Sequence, residues 1–76
     1  MNELTLLEYL KTLPLNTFIN LNCDYWEELE YMGDIDDFLN GGLYDGIAKA
    51  KDHYDHYNTK NYSLGAWGVI TIHKRP

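Results

Sequence analysis

The chain has 76 residues, which gives room for one small domain and one hydrophobic core. Two tryptophans, seven tyrosines and two phenylalanines in a 45% apolar composition argue against disorder. The formal net charge is −6, and no lysine or arginine stands between Lys11 and Lys49. Direct nucleic-acid binding is therefore disfavoured, because basic side chains on phosphates supply most of that affinity. No run approaches the roughly 18 apolar residues of a membrane span. Glu3 and Glu8 precede the first lysine, unlike the basic start of a secretory signal, so a cytoplasmic location with no membrane partner is expected.

Taken in order, Met1 to Thr12 reads as a helix. Thr5-Leu6-Leu7-Glu8 matches a capping box, and Leu6, Leu10 and Leu13 form an apolar stripe that Pro14 ends. Thr17 to Cys23 alternates as a strand, with Ile19, Leu21 and Cys23 on one face and Phe18, Asn20 and Asn22 on the other. Phe18 is out of place on that polar face unless the first helix covers it. Cys23 is a lone cysteine with no basic neighbour in sequence, which suits a buried, inert thiol.

Cys23 to Leu39 carries seven of the twelve acidic residues, interleaved with aromatics and aliphatics. Asp24 to Glu27 reads as a turn, and Glu28 to Gly33 alternates as a second strand making a hairpin with the first. Asp34 then suits an N-cap, with Asp36 and Asp37 in the first turn of a short helix that ends at Asn40-Gly41-Gly42. Leu43, Ile47, Ala50, Tyr54 and Tyr57 recur at helical spacing and predict a central helix. Tyr62 to Leu64 and Trp67 to His73 predict a closing hairpin or one long bent strand, with Gly65 and Gly68 giving the turn or a bulge. The expected fold is a single α+β domain over residues 1–76: an antiparallel sheet of three or four strands, with the N-terminal and central helices on one face.

Candidate chemistry is sparse. His53 and His56 lie three apart on the central helix, as two metal ligands would, with Asp52 or Asp55 or the distant His73 as a third. The competing reading is a solvated polar helix face. The pairs Glu27/Glu30 and Asp34/Asp37 resemble an acid and base, but such work needs a pocket that shifts a pKa. No linear signature of a nucleophile elbow, phosphate loop or Cys/His site occurs, so a protein that is not an enzyme, without cofactor or metal, is expected. What remains is an acidic and aromatic surface. Asp24, Tyr25, Trp26, Glu27, Glu28, Glu30, Asp34, Asp36 and Asp37 are the candidate contacts for a protein partner with a basic surface. A sharper version has these carboxylates mimic the phosphates of DNA. A homo-oligomer joined through Val69 to His73, if that strand lies at a sheet edge, is a further possibility.

The run Glu28 to Leu39, with its Y-x-G-x-x-x-D-F-L segment from Tyr31 to Leu39, follows Leu13-Pro14 and a FINL strand and precedes a GVITI strand. In this it resembles small uncharacterised proteins encoded by phages and prophages of low-GC Gram-positive bacteria. The resemblance implies a bacterial host cell and a partner in host or phage machinery. In it Tyr31 and Phe38 would be core, Gly33 a corner and Asp37 a cap, and it implies no catalytic residue. The segment Tyr44 to Tyr57 is longer than the connector expected of such proteins.

Overall fold

The computed structural model describes residues 2–40 and 53–74. The capping box forms as the sequence predicts: the Glu8 N–H donates to the Thr5 hydroxyl (3.2 Å) and the Thr5 N–H to the Glu8 carboxylate (2.9 Å). Helix α1 runs from Leu6 to Lys11 and buries Leu6, Leu7 and Leu10. Strand β1 (Phe18–Cys23) follows, then a 3₁₀ turn (Glu27–Leu29), strand β2 (Tyr31–Asp34) and helix α2 (Ile35–Asn40). A single helical turn, α3 (Tyr54–Tyr57), strand β3 (Tyr62–Leu64), a second 3₁₀ turn (Ala66–Gly68) and strand β4 (Val69–Ile72) complete the described chain. Most of the expected central helix, and with it Asp52, lies outside the described residues.

The α+β class is as expected, but the sheet is mixed. Its order is β2-β1-β4-β3. The β1–β2 and β3–β4 pairs are antiparallel, whereas β1 and β4 run parallel with Leu21 opposite Ile70. Alternation in a sequence reports which side chains are buried, and it carries no information on which strand lies alongside. Strand β4 is consequently internal, which removes the sheet edge that an oligomer through Val69 to His73 requires.

The second strand is also shorter than its alternation suggests. Leu29 is buried, as a strand residue on the core face would be, yet it gets there from the 3₁₀ turn, and pairing begins at Tyr31. The cap at Asp34 is as expected: its carboxylate accepts from the Asp37 N–H at 2.9 Å.

One face of the sheet is packed. Ile19, Leu21, Tyr31, Tyr62, Ile70 and Ile72 join Leu6, Leu7 and Leu10 of α1, Ile35 and Phe38 of α2 and Tyr57 of α3 in one buried cluster, with Cys23 and Leu29. Phe38 is its centre, lying 4.9 Å from the Tyr31 ring and 5.0 Å, edge-on, from that of Tyr57. The Tyr57 hydroxyl donates to the Leu29 carbonyl (2.9 Å), which ties α3 to the first 3₁₀ turn.

The other face carries Phe18, Asn20, Asn22, Met32, Asp34, Val69, Thr71 and Ser63 by strand alternation. Phe18 is 56% exposed and Met32 67%, so α1 does not cover Phe18.

Candidate functional site

The acidic stretch lies at the two ends of β2, which among the described residues is an edge strand. Asp24, Glu27, Glu28 and Glu30 precede it. Asp34 closes it, and Asp36 and Asp37 follow in α2. All are exposed except Asp34, which is half-buried. Glu30 and Asp34 are four residues apart, roughly 13 Å along a strand, so the carboxylates form two groups. Several carry local duties: Asp24 binds His73, Asp34 caps α2, and Asp36 accepts from the Asn40 amide at 3.2 Å.

The aromatic members of the stretch face elsewhere. Tyr25 and Trp26 are each 37% exposed and pack against α3 and its N-terminal flank. The Tyr25 hydroxyl lies 3.0 Å from Nδ1 of His56. The Trp26 ring meets His53 and His56 edge-on at 4.8 and 5.1 Å. The two histidine rings are 6.5 Å apart, and among the described residues no group of three His, Cys, Asp or Glu side chains is placed to hold a metal ion. The structure thus assigns His53 and His56 to a small aromatic cluster with Tyr25 and Trp26.

The most exposed aromatic residue is one the sequence places in a strand. Trp67 is 94% exposed and sits in the turn between β3 and β4 with φ 62°, ψ 29°. A left-handed backbone is unusual for a bulky side chain and is stored strain of order 1–3 kcal/mol. The neighbouring Gly68, at φ 76°, fits because a Cβ there would lie 2.7 Å from the Phe18 carbonyl oxygen. The turn therefore abuts the start of β1, at the Phe18 end of the open sheet face.

At the opposite end, the parallel strands β1 and β4 terminate together and deliver their next polar residues side by side. The Asp24 N–H donates to the Ile72 carbonyl at 3.1 Å. The carboxylate of Asp24 then meets Nδ1 of His73 at 2.8 Å, and Nε2 of His73 meets the Ser63 hydroxyl at 2.6 Å. Asn61 fixes this end of the sheet: its carbonyl accepts from the His73 N–H (2.9 Å) and its amide donates to the Lys74 carbonyl (2.9 Å). The hydrogen bond from His73 holds the Asp24 carboxyl below the usual carboxylate range.

Beside His73 lies an open cleft of about 330 Å³, lined by Tyr25, Asp55, His56, Thr59, His73 and Lys74. Sequence reasoning missed the Asp24–His73–Ser63 chain because its members lie 49 and 10 residues from His73 and only the parallel pairing of β1 with β4 brings the ends together.

The structure thus defines an α+β domain with a mixed four-stranded sheet, one packed face, one open face, and polar clusters at its rims. No protein-family model, no curated protein and no solved structure matches the chain.

Proposed function

We propose that this is a recognition protein that binds a protein partner through the open face of its sheet, with the acidic edge of β2 steering a basic surface onto it. The observation that carries this reading is Trp67: an aromatic residue 94% exposed on a strained backbone, in a turn whose Gly68 abuts the backbone of the exposed Phe18. Folding gains nothing from either feature, and exposed aromatic and methionine side chains are favoured contacts in interfaces. Val69 on β4 and Met32 on β2 flank Asn20 of β1 on this face, Phe18 stands two residues along β1 opposite Asp34, and Glu30 lies beside Met32.

The contact set differs from the one the sequence suggests. Glu27, Glu28, Glu30, Asp36 and Asp37 form the steering field, while Phe18, Met32 and Trp67 are the anchors in place of Tyr25 and Trp26, which are engaged with histidines. Plain protein recognition is favoured over DNA mimicry, since Asp24, Asp34 and Asp36 are committed to local hydrogen bonds rather than arrayed as a phosphate ladder. The resemblance to phage and prophage proteins supports a partner in host or phage machinery, inside a bacterial cell. Titration against basic host proteins at rising salt is the test. Affinity should weaken with salt, and Phe18→Ser with Met32→Ser should abolish binding without changing the unfolding midpoint; affinity indifferent to both would reject the reading.

A further inference from the structure

We propose that Ser63 is a nucleophile, activated by His73 and positioned through Asp24, that accepts a small acyl group from an activated ester at the end of the sheet. The site is separate from the Phe18–Met32–Trp67 surface and does not depend on the recognition reading.

Three features of the geometry carry it. First, the two contacts of His73 use the two ring nitrogens in the order that nucleophile activation needs. A carboxylate can only accept, so Asp24 fixes the proton on Nδ1, and in the neutral ring Nε2 is left to accept from the Ser63 O–H. Second, the partners are held by backbone rather than by chance side-chain contact. Ser63 stands on β3, opposite Thr71, and Asp24 and His73 each follow the last residue of one of the two parallel strands.

Third, a donor for the developing charge is nearby. The bonds Asn61 carbonyl to His73 N–H and Gly65 N–H to Val69 carbonyl mark the hydrogen-bonded pairs of the β3–β4 ladder. By their alternation Leu64, opposite Ile70, is a non-hydrogen-bonded position whose N–H points out from the sheet edge, directly after the nucleophile. The residue after the nucleophile supplies the same kind of donor in other serine sites. The cleft of about 330 Å³ is lined by His73 and not by Ser63, so it adjoins the base rather than the nucleophile.

The chemistry balances within these groups. Ser63 Oγ attacks the ester carbonyl, forming an Oγ–C bond as its proton passes to Nε2 of His73. The oxyanion faces the Leu64 N–H. The C–O bond to the alcohol breaks as Nε2 gives the proton to the departing oxygen, leaving an acyl-serine. Water then attacks the acyl carbon, loses a proton to Nε2, and Ser63 departs with that proton, releasing a carboxylic acid. Asp24 and His73 are both part-exposed, at 47% and 37%, so the activation belongs at the low end for a positioned base, about 100-fold.

The chain contains a single serine, which makes the test direct. The full chain is treated with diisopropyl fluorophosphate and the adduct mapped by mass spectrometry; here Oγ–P forms, P–F breaks, and the Oγ proton leaves through His73. The expected result is one adduct on Ser63, a rate about 100-fold lower in His73→Gln, and a comparable loss in Asp24→Asn. In that last variant the imidazole ¹⁵N signature of His73 should move from the Nδ1–H to the Nε2–H tautomer together with the fall in labelling rate; a merely structural role for Asp24 would leave the rate unchanged. No adduct on Ser63 in the native protein, or equal labelling in a folded His73→Gln, overturns the proposal. The native-protein arm decides even if a variant fails to fold.

Discussion

Replacing Tyr57 by Phe removes one oxygen and leaves the ring on Phe38. Tyr57 is fully buried, and its hydroxyl donates at 2.9 Å to the Leu29 carbonyl, itself in a fully buried residue. A hydrogen bond of this kind contributes about 1 kcal/mol net, and stranding the buried acceptor costs about 1–3 kcal/mol. A loss near 2 kcal/mol is therefore expected, out of a total that for this size is about 4–11 kcal/mol. The variant should stay folded, with its thermal midpoint lowered by about 10 °C.

Tyr62→Phe is the internal control. Its hydroxyl donates at 3.0 Å to the Leu4 carbonyl in a half-exposed setting, where water can replace it, and the cost should be under about 1 kcal/mol. Urea denaturation of both variants at constant slope is the assay. A Tyr57→Phe loss no greater than that of Tyr62→Phe would refute the claim that this bond ties α3 to the 3₁₀ turn.

Other expectations follow from single observations. Gly68→Ala forces a Cβ against the Phe18 carbonyl and should cost more than 2 kcal/mol by thermal unfolding, whereas Trp67→Asn, at an exposed left-handed position, should raise stability by about 0.5–1 kcal/mol. Asp34→Ala deletes the cap of α2 and should cost about 1 kcal/mol in the same assay. Asp24 and Glu8 both have carboxyls lowered by hydrogen bonds, from His73 and Thr5 respectively. A depressed folded-state value gives stability that is present above the unfolded carboxylate range and lost as pH falls through the folded value. Unfolding midpoints should thus drop on acidification below about pH 4, and less so in Asp24→Asn and Glu8→Gln; equal acid sensitivity in all three proteins would contradict this.

Local chemistry was the legible part of the fold. Thr5 with Glu8, and Asp34 before α2, are read directly because a cap joins residues three apart. The alternation of Ile19, Leu21 and Cys23 gives the packed face for the same reason. Glu28 to Tyr31 misleads because a 3₁₀ turn and a strand can bury the same Leu29. The parallel β1–β4 pair and the Asp24–His73–Ser63 chain are invisible to spacing, since both depend on contacts across 49 residues. Trp67 reads as a strand residue by composition, and only the left-handed turn before Gly68 turns it outward. In the acidic stretch, exposure was legible, but the orientation of Tyr25 and Trp26 toward the histidines was not.

Recognition through the open sheet face is tested most directly by differential capture. Immobilised native protein, the Phe18→Ser/Met32→Ser variant and a Tyr25→Ser/Trp26→Ser variant are exposed to the same bacterial lysate at low and high salt. A basic protein retained by the native chain and by the Tyr25/Trp26 variant, released by salt and absent from the Phe18/Met32 variant, is the predicted result. Retention that survives loss of Phe18 and Met32, or disappears only with Tyr25 and Trp26, would contradict it.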